Sequence, residues 1–326
     1  MNLKNLLVKA VMLVIIAFHA NTIVLAQENS ASRDLSKFNF FYAGEGKIHN
    51  MYIVKDGKIA WSYTNLDSKG EISDAVLLKN GNILFAHQTG VSILTPAKKI
   101  IWNYPAPQNA EIHTAVPAGK DLIVFVMNAN PAKVIVMNYV TNKIVKEFNV
   151  PVGNPKGIHG HFRHARLTDK GTLLIAHMDM AKVNEYDTEG KILLSLDVPR
   201  PWSVEPLKNG NILVCSASSV LEINRKGETI WEVDTKSIKG YDVSSPQVAQ
   251  RLANGNILFN NWFNQWGTAT VDLKNPPIQA LEITPDKKVV WALSSWAEPA
   301  NLGPSTIIQL LENTGELEKM RFGKLK

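Results

Sequence analysis

Apolar and polar positions along this chain fall into short blocks, and the blocks recur. Leu77-Leu78-Lys79-Asn80-Gly81-Asn82-Ile83-Leu84 is matched by Leu207-Lys208-Asn209-Gly210-Asn211-Ile212-Leu213 and by Leu252-Ala253-Asn254-Gly255-Asn256-Ile257-Leu258. Each reads as an apolar strand, an Asn-Gly turn and a second apolar strand, with Asn-Gly supplying the positive φ angles of a two-residue hairpin. Weaker copies stand at Thr168-Asp169-Lys170-Gly171-Thr172-Leu173 and around Gly119-Lys120-Asp121-Leu122. A second hairpin follows each copy, and its last strand carries a tryptophan at Trp61, Trp102, Trp231 and Trp291. A tryptophan recurring at one repeat position marks packing between repeats.

The unit is therefore four antiparallel strands in about 40 residues, the period of a propeller blade. Inner strands are expected to begin near Asp74, His113, His164, Ser203 and Val248. Residues 38–63 lack an inner strand, and residues 305–311 lack a hairpin partner. Joining the two predicts an all-β fold: a β-propeller of about six four-stranded antiparallel blades, closed by the C-terminal strand, forming one domain over residues 38–326. The charged stretch from Glu316 onward is expected to pack loosely.

Ahead of the repeats, Lys4 and Lys9 precede an apolar run over residues 10–18, and Val24-Leu25-Ala26 offers small residues for cleavage. Residues 1–26 read as a secretory signal peptide and 27–37 as a linker. The expected product is periplasmic, with no membrane insertion once the signal is removed. Cys215 is the single cysteine, set in the apolar run Ile212-Leu213-Val214-Cys215. It reads as a core thiol, and no disulfide or cysteine metal site can form. The net charge is +6, but lysines such as Lys79, Lys98, Lys170 and Lys226 sit in separate turns. Nothing in that pattern suits a nucleic-acid partner.

The chemistry concentrates in His159-Gly160-His161-Phe162-Arg163-His164-Ala165-Arg166, which holds three of the eight histidines and two of the seven arginines. Antiparallel strand direction puts the Asn-Gly turns on one face of the ring and the connections between blades on the other. His87 and His177 each follow a turn glycine (Gly81, Gly171) by six residues, at the end of a second strand. His113 and His164 begin inner strands, His159 and His161 precede one, and His49 precedes a third strand. All seven histidines beyond the signal thus map to the connection face. Aligned inner strands put Val76, Ala115, Arg166, Glu205, Gln250 and Gln309 in one column, which predicts a polar central channel. The stretch Asn260-Asn261-Trp262-Phe263-Asn264-Gln265-Trp266 combines amides and indoles, which suit sugars. Trp202 and Tyr241 lie on neighbouring connections.

There is no Gly-x-Ser-x-Gly elbow, phosphate loop or dinucleotide fingerprint. Paired carboxylates for glycoside hydrolysis are not conspicuous, although Asp74, Asp179, Glu205 and Asp242 are near. Histidine, arginine and tyrosine suit β-elimination beside a carboxylate. Arg163 or Arg166 would hold the carboxylate, and two of His113, His164, His177 and Tyr241 would act as base and acid. Trp202, Trp262 and Trp266 would stack on sugar rings, with His87, His161, Asn260, Asn261 and Gln250 completing the binding surface. This chemistry needs no cofactor and no metal. The spacing His159-x-His161-x-x-His164 leaves zinc ligation open as an alternative.

The strand–Asn-Gly–strand repeat with its terminal tryptophan resembles the quinoprotein-like and arylsulfotransferase-like β-propellers over about residues 38–311. The exported propeller with a His/Arg-rich face is also similar to ulvan lyases and the ulvan oligosaccharide dehydratase. That resemblance implies a carbon–oxygen lyase acting on uronate-containing oligosaccharides in polysaccharide degradation. It would be a dehydratase if hydroxide leaves and a polysaccharide lyase if a sugar leaves. The alternatives are a non-catalytic glycan-binding or scaffold propeller, or an arylsulfotransferase-like enzyme with a histidine nucleophile.

Overall fold

The computed structural model describes residues 31–44, 49–66, 68–263 and 270–325. The signal peptide and the first part of the linker lie outside the described residues. Twenty-four strands form six four-stranded antiparallel sheets, with 3-10 turns as the only helical elements among the described residues. No described helix is long and apolar enough to cross a membrane.

The first blade contains β1 (Phe40–Gly44), β2 (His49–Lys55) and β3 (Lys58–Asn65). Blade 2 is β4 (Asp74–Leu77), β5 (Ile83–Ala86), β6 (Gly90–Leu94) and β7 (Ile100–Pro105). Blade 3 is β8 (Glu111–Pro117), β9 (Leu122–Asn128), β10 (Ala132–Asn138) and β11 (Lys143–Val150). Blade 4 is β12 (Phe162–Leu167), β13 (Leu173–His177), β14 (Lys182–Tyr186) and β15 (Ile192–Asp197). Blade 5 is β16 (Ser203–Pro206), β17 (Ile212–Cys215), β18 (Ser219–Ile223) and β19 (Thr229–Asp234). Blade 6 is β20 (Pro246–Arg251), β21 (Ile257–Asn261), β22 (Ala280–Ile283) and β23 (Val289–Leu293). The chain returns in β24 (Ile307–Leu310), which pairs antiparallel with β1, Tyr42 opposite Ile308, as the inner strand of blade 1.

The repeated Asn-Gly turn forms by a different route from the expected two-residue hairpin. Leu78 N donates to Asn82 O at 2.8 Å and Gly81 N to Leu78 O at 2.9 Å, so three residues make the loop. Only the glycine is left-handed: Gly81, Gly210 and Gly255 all have φ +85°. This is a type I turn closed by a glycine, which any residue can enter but few besides glycine can finish. The asparagine has another task. Asn80, Asn209 and Asn254 each accept the backbone N–H two residues on, at 2.9–3.0 Å.

The repeats lock to one another through two further devices. Trp61 Nε1 donates to Pro96 O (2.8 Å), Trp231 Nε1 to Pro285 O (2.7 Å) and Trp102 Nε1 to Asn142 Oδ1 (3.2 Å), each reaching the neighbouring blade. Trp291 Nε1 reaches Asp34 O at 2.9 Å, so the end of the supposed linker packs on blade 6. Glu222 Oε1 accepts from Asn209 and Asn211, Glu282 Oε1 from Asn254 and Asn256, and each carboxylate then meets a cation outside its own blade, Arg251 and Lys37. Glu185 does the same with Thr172 and Arg225.

Valine, leucine, isoleucine and phenylalanine side chains fill the wedges between blades. Cys215 belongs to that core, and burial pushes its thiol up to about 12. The tail departs from expectation. Residues 311–325 cross the turn face, with Leu317 packed against blades 2 and 3 and Phe322 buried between blades 3 and 4. Lys79 N donates to Glu318 Oε2 at 2.6 Å and Gly323 N to Gly171 O at 2.8 Å. Its charges hid the apolar residues Leu317, Met320, Phe322 and Leu325 spaced among them.

Candidate functional site

Three consecutive inner strands, β4, β8 and β12, build a polar centre at the connection face. Residues two apart on an extended chain share a side. Glu71 and Ser73 lead into β4 in that spacing, and Glu111 and His113 open β8 in the same way. His113 sits between them: its Nδ1 is 3.0 Å from Glu71 Oε1 and 2.8 Å from Ser73 Oγ, and its Nε2 is 2.7 Å from Glu111 Oε2. Glu111 Oε2 also lies 2.8 Å from His159 Nδ1, and Glu111 Oε1 accepts from Gln88 at 3.1 Å. Burial works to raise the Glu111 pKa, but the hydrogen bonds from His113, His159 and Gln88 outweigh it and hold the carboxylate well below its usual range.

The chain of contacts runs from inside to outside. Glu71 and His113 are buried, whereas the His159 side chain is 47% exposed. His159 lies on the 3-10 turn Ile158–Gly160, its ring 5.1 Å from that of His113 and nearly perpendicular to it. Beside it opens a groove of about 550 Å³ lined by Asn154, Lys156, Ile158, Met178, Asp179 and Arg200. Asp179 Oδ2 pins the groove wall by accepting Gly153 N (2.7 Å) and Asn154 N (2.9 Å).

Under this centre lies a second cluster. Arg166 grips Asp74 with both arms of its guanidinium, at 2.8 and 3.0 Å, while Thr114 Oγ1 donates to Asp74 Oδ2 at 2.7 Å. Burial disfavours the Asp74 charge, but Arg166 and His164 overcome it and keep the pKa below the ordinary value. Burial pushes His164 down to about 3, so its ring is neutral near pH 7, and its Nε2 has no hydrogen-bond partner among the described residues. Glu205 approaches from β16, and burial lifts it to about 7 against the pull of Arg166.

The arginines are thereby engaged. The fork of Arg166, expected to hold a substrate carboxylate, is occupied by Asp74. Arg163 lies 5.0 Å over the Trp202 ring, donates to the carbonyl oxygens of His159 and Phe162, and approaches Glu71 Oε1 to 3.9 Å. Trp202 is placed by this stacking and by the core of blades 5 and 6, on which Tyr241 also packs.

Other candidates lie apart from the centre. His177 is enclosed within blade 4, its Nε2 2.8 Å from the Tyr186 hydroxyl, and burial pushes it down to about 3. His161 is buried with Nε2 2.8 Å from Asn154 O. His87 pairs with His49 between blades 1 and 2, ring centroids 5.8 Å apart, and burial pushes it down to about 4. Asn260 binds Val248 N and Ser305, and Asn261 binds Ser245 N and Ile278 O, so both amides hold the loop rather than face solvent. Trp262 is half-buried, and Trp266 lies outside the described residues. In the channel, Gln250 donates to Ile308 O at 3.2 Å and Gln309 bonds both N (2.8 Å) and O (3.2 Å) of Leu77, lacing neighbouring inner strands together.

The residues that sequence reasoning passed over are Glu71, Ser73 and Glu111. The pattern Glu-x-His at 111–113 was the available signal, since alternation places both side chains on one side of the strand.

Fold and site together define a six-bladed β-propeller with a carboxylate–imidazole centre at its connection face. No known family model matches the chain, and no curated protein does. Among solved structures it is similar to a protein of unknown function from Bacteroides caccae, with TM-score 0.71 and 23% identity over 83% of this chain and 97% of that one. It is also similar to a streptogramin B lyase, with TM-score 0.54 and 14% identity over 84% and 87%. A catalytically inactive histidine-to-alanine variant of virginiamycin B lyase from Staphylococcus aureus, solved with quinupristin, gives 0.53 and 13% over 80% and 85%. These likenesses show the β-propeller fold. They lend no support to the narrower likeness to ulvan-degrading enzymes or arylsulfotransferases.

Proposed function

We propose that the protein is a carbon–oxygen lyase that eliminates across the bond β to the carboxylate of a uronate-containing oligosaccharide. The observation that carries this reading is the exposed imidazole of His159 backed by the Glu111 carboxylate at Nδ1. Such a carboxylate fixes the tautomer and leaves Nε2 as the basic nitrogen of a side chain that lines the groove. That lyase activity occurs on this fold, and that one such lyase is lost with a single histidine, agrees with the reading.

In this mechanism the sugar lies in the groove, with its carboxylate near the exposed cations Lys156 and Arg200 rather than Arg163 or Arg166. His159 Nε2 takes the proton α to the carboxylate. The C–H electron pair becomes the new C=C bond, the C–O bond to the β-carbon breaks, and the departing oxygen takes a proton from water. Glu111 and His113 hold the resulting imidazolium in place. Export to the periplasm, where such oligosaccharides would be met, belongs to the same proposal.

The test is absorbance near about 230–235 nm, where an unsaturated uronate absorbs, on incubation with uronate oligosaccharides. His159→Ala should slow the reaction by roughly 10²–10⁴-fold while leaving the fold intact, because the side chain is half exposed. A mass loss of about 18 Da would identify a dehydratase, and two fragments a polysaccharide lyase. No chromophore with any uronate oligosaccharide would overturn the reading in favour of a glycan-binding propeller.

A further inference from the structure

We propose that Glu71, His113 and His159 bind one divalent cation of the zinc class. One ligand atom from each lies within 4.8 Å of the other two. The set of two imidazoles and one carboxylate is a donor combination that zinc accepts in three-ligand sites with an open fourth position.

The surroundings match the ligands. In metal sites a ligating imidazole normally donates its other nitrogen to a carboxylate, which orients the ring and raises its basicity. Here one carboxylate does this for two rings, since Glu111 Oε2 lies 2.7 Å from His113 Nε2 and 2.8 Å from His159 Nδ1. His113 Nδ1 lies 3.0 Å from Glu71 Oε1, on the side of the ring away from Glu111. Ser73 Oγ sits beside the same two ligands, 2.8 Å from His113 Nδ1 and donating to Glu71 Oε1 at 2.9 Å.

Bonds of about 2.0–2.2 Å require ligand atoms about 3–3.5 Å apart. A spacing of up to 4.8 Å closes by about 1.3–1.8 Å, a shift that the half-exposed His159 on its short turn can make. Glu71 and His113 form the buried side of the site and His159 the solvent side, so an ion can enter and keep an open position. Arg163, which stacks on Trp202, approaches Glu71 to 3.9 Å. This set differs from the sequence alternative His159-His161-His164. His161 points to Asn154 O and His164 to Asp74, and neither belongs to the group.

The ion holds the imidazole assigned above as proton acceptor. The ion-bound form is therefore inactive in elimination, a regulation that rests on the reading in the previous subsection.

Chelator-treated full-length protein is titrated with Co²⁺, followed by visible absorption, and with Zn²⁺ by equilibrium dialysis. The expected result is one ion per chain. His159→Ala and Glu71→Gln each weaken binding at least tenfold, and Glu111→Gln does so by about 10–100-fold. His161→Ala leaves the affinity unchanged. Circular dichroism of each variant confirms folding, and the exposed His159 keeps the test valid if a buried variant fails to fold. The site is overturned by absence of stoichiometric binding, by binding indifferent to His159→Ala, or by loss with His161→Ala in a folded protein. Binding without elimination removes the functional reading and leaves the site; elimination without binding does the reverse.

Discussion

Glu205→Gln is expected to stabilise the protein at neutral and higher pH. The carboxyl is half-buried on β16 beside the Arg166–Asp74 pair, and burial moves its pKa from an ordinary 4.5 to about 7. The folded state therefore keeps a proton that the unfolded chain has already released. Stability contributed by this group is lost as pH rises from about 4.5 to about 7, and the penalty is complete above that window. At about 1.4 kcal/mol per pH unit the ceiling is about 3 kcal/mol, and partial exposure lowers the expectation to about 1–3 kcal/mol. Glutamine keeps the shape and never ionises. Urea unfolding of both proteins at pH 4.5 and pH 8 is the assay. The two should nearly coincide at pH 4.5. At pH 8 the variant should be the more stable by about 1–3 kcal/mol, equivalent to roughly 2–4 °C in Tm for each kcal/mol. A variant no more stable than wild type at pH 8, or one with the same pH slope, would refute the reasoning.

Other outcomes follow from single contacts. Asp74→Ala leaves the Arg166 charge buried without its partner and should cost about 3–5 kcal/mol in urea unfolding, whereas a pair of no structural consequence would give under about 1 kcal/mol. Phe322→Ala should cost about 3–5 kcal/mol by opening a cavity between blades 3 and 4, and a loose tail would show no change. Gly210→Ala meets no atom within 4 Å, so its cost is backbone strain alone at φ +85°, about 1–2 kcal/mol by thermal unfolding. A neutral result there would mean that the turn relaxes to another type.

The ring was readable because blades 2, 5 and 6 carry the same signs, apolar pair, Asn-Gly, apolar pair and tryptophan, and the other blades carry part of them. The turn type was not readable, because Asn-Gly serves both a two-residue hairpin and a glycine-closed type I turn; here Asn80 accepts Asn82 N instead of adopting positive φ. Histidines could be assigned to a face, since strand direction decides that. Their neighbours could not be assigned, since distances across blades depend on the closed ring. His113 and His159 therefore meet through Glu111, while His177, equally prominent in sequence, turns toward Tyr186 inside its own blade. Arg166 stood out as a carboxylate ligand, and it is one, but the carboxylate is Asp74, 92 residues away.

Closure by β24 also sets the order in which the protein can be completed. Tyr42 must wait for Ile308, a separation of 266 residues (308 minus 42). Bringing the ends of so long a chain together carries an entropic cost of about 5 kcal/mol by loop-closure scaling, before any constant term. Five blades can assemble from neighbouring sequence, but blade 1 can only remain a three-stranded sheet with Phe40–Gly44 as an unpaired apolar edge. Until the last strand arrives, that edge is open to pairing with another chain. The unclosed ring thus carries an aggregation hazard in its first blade, and pairing of the final strand removes it in one step.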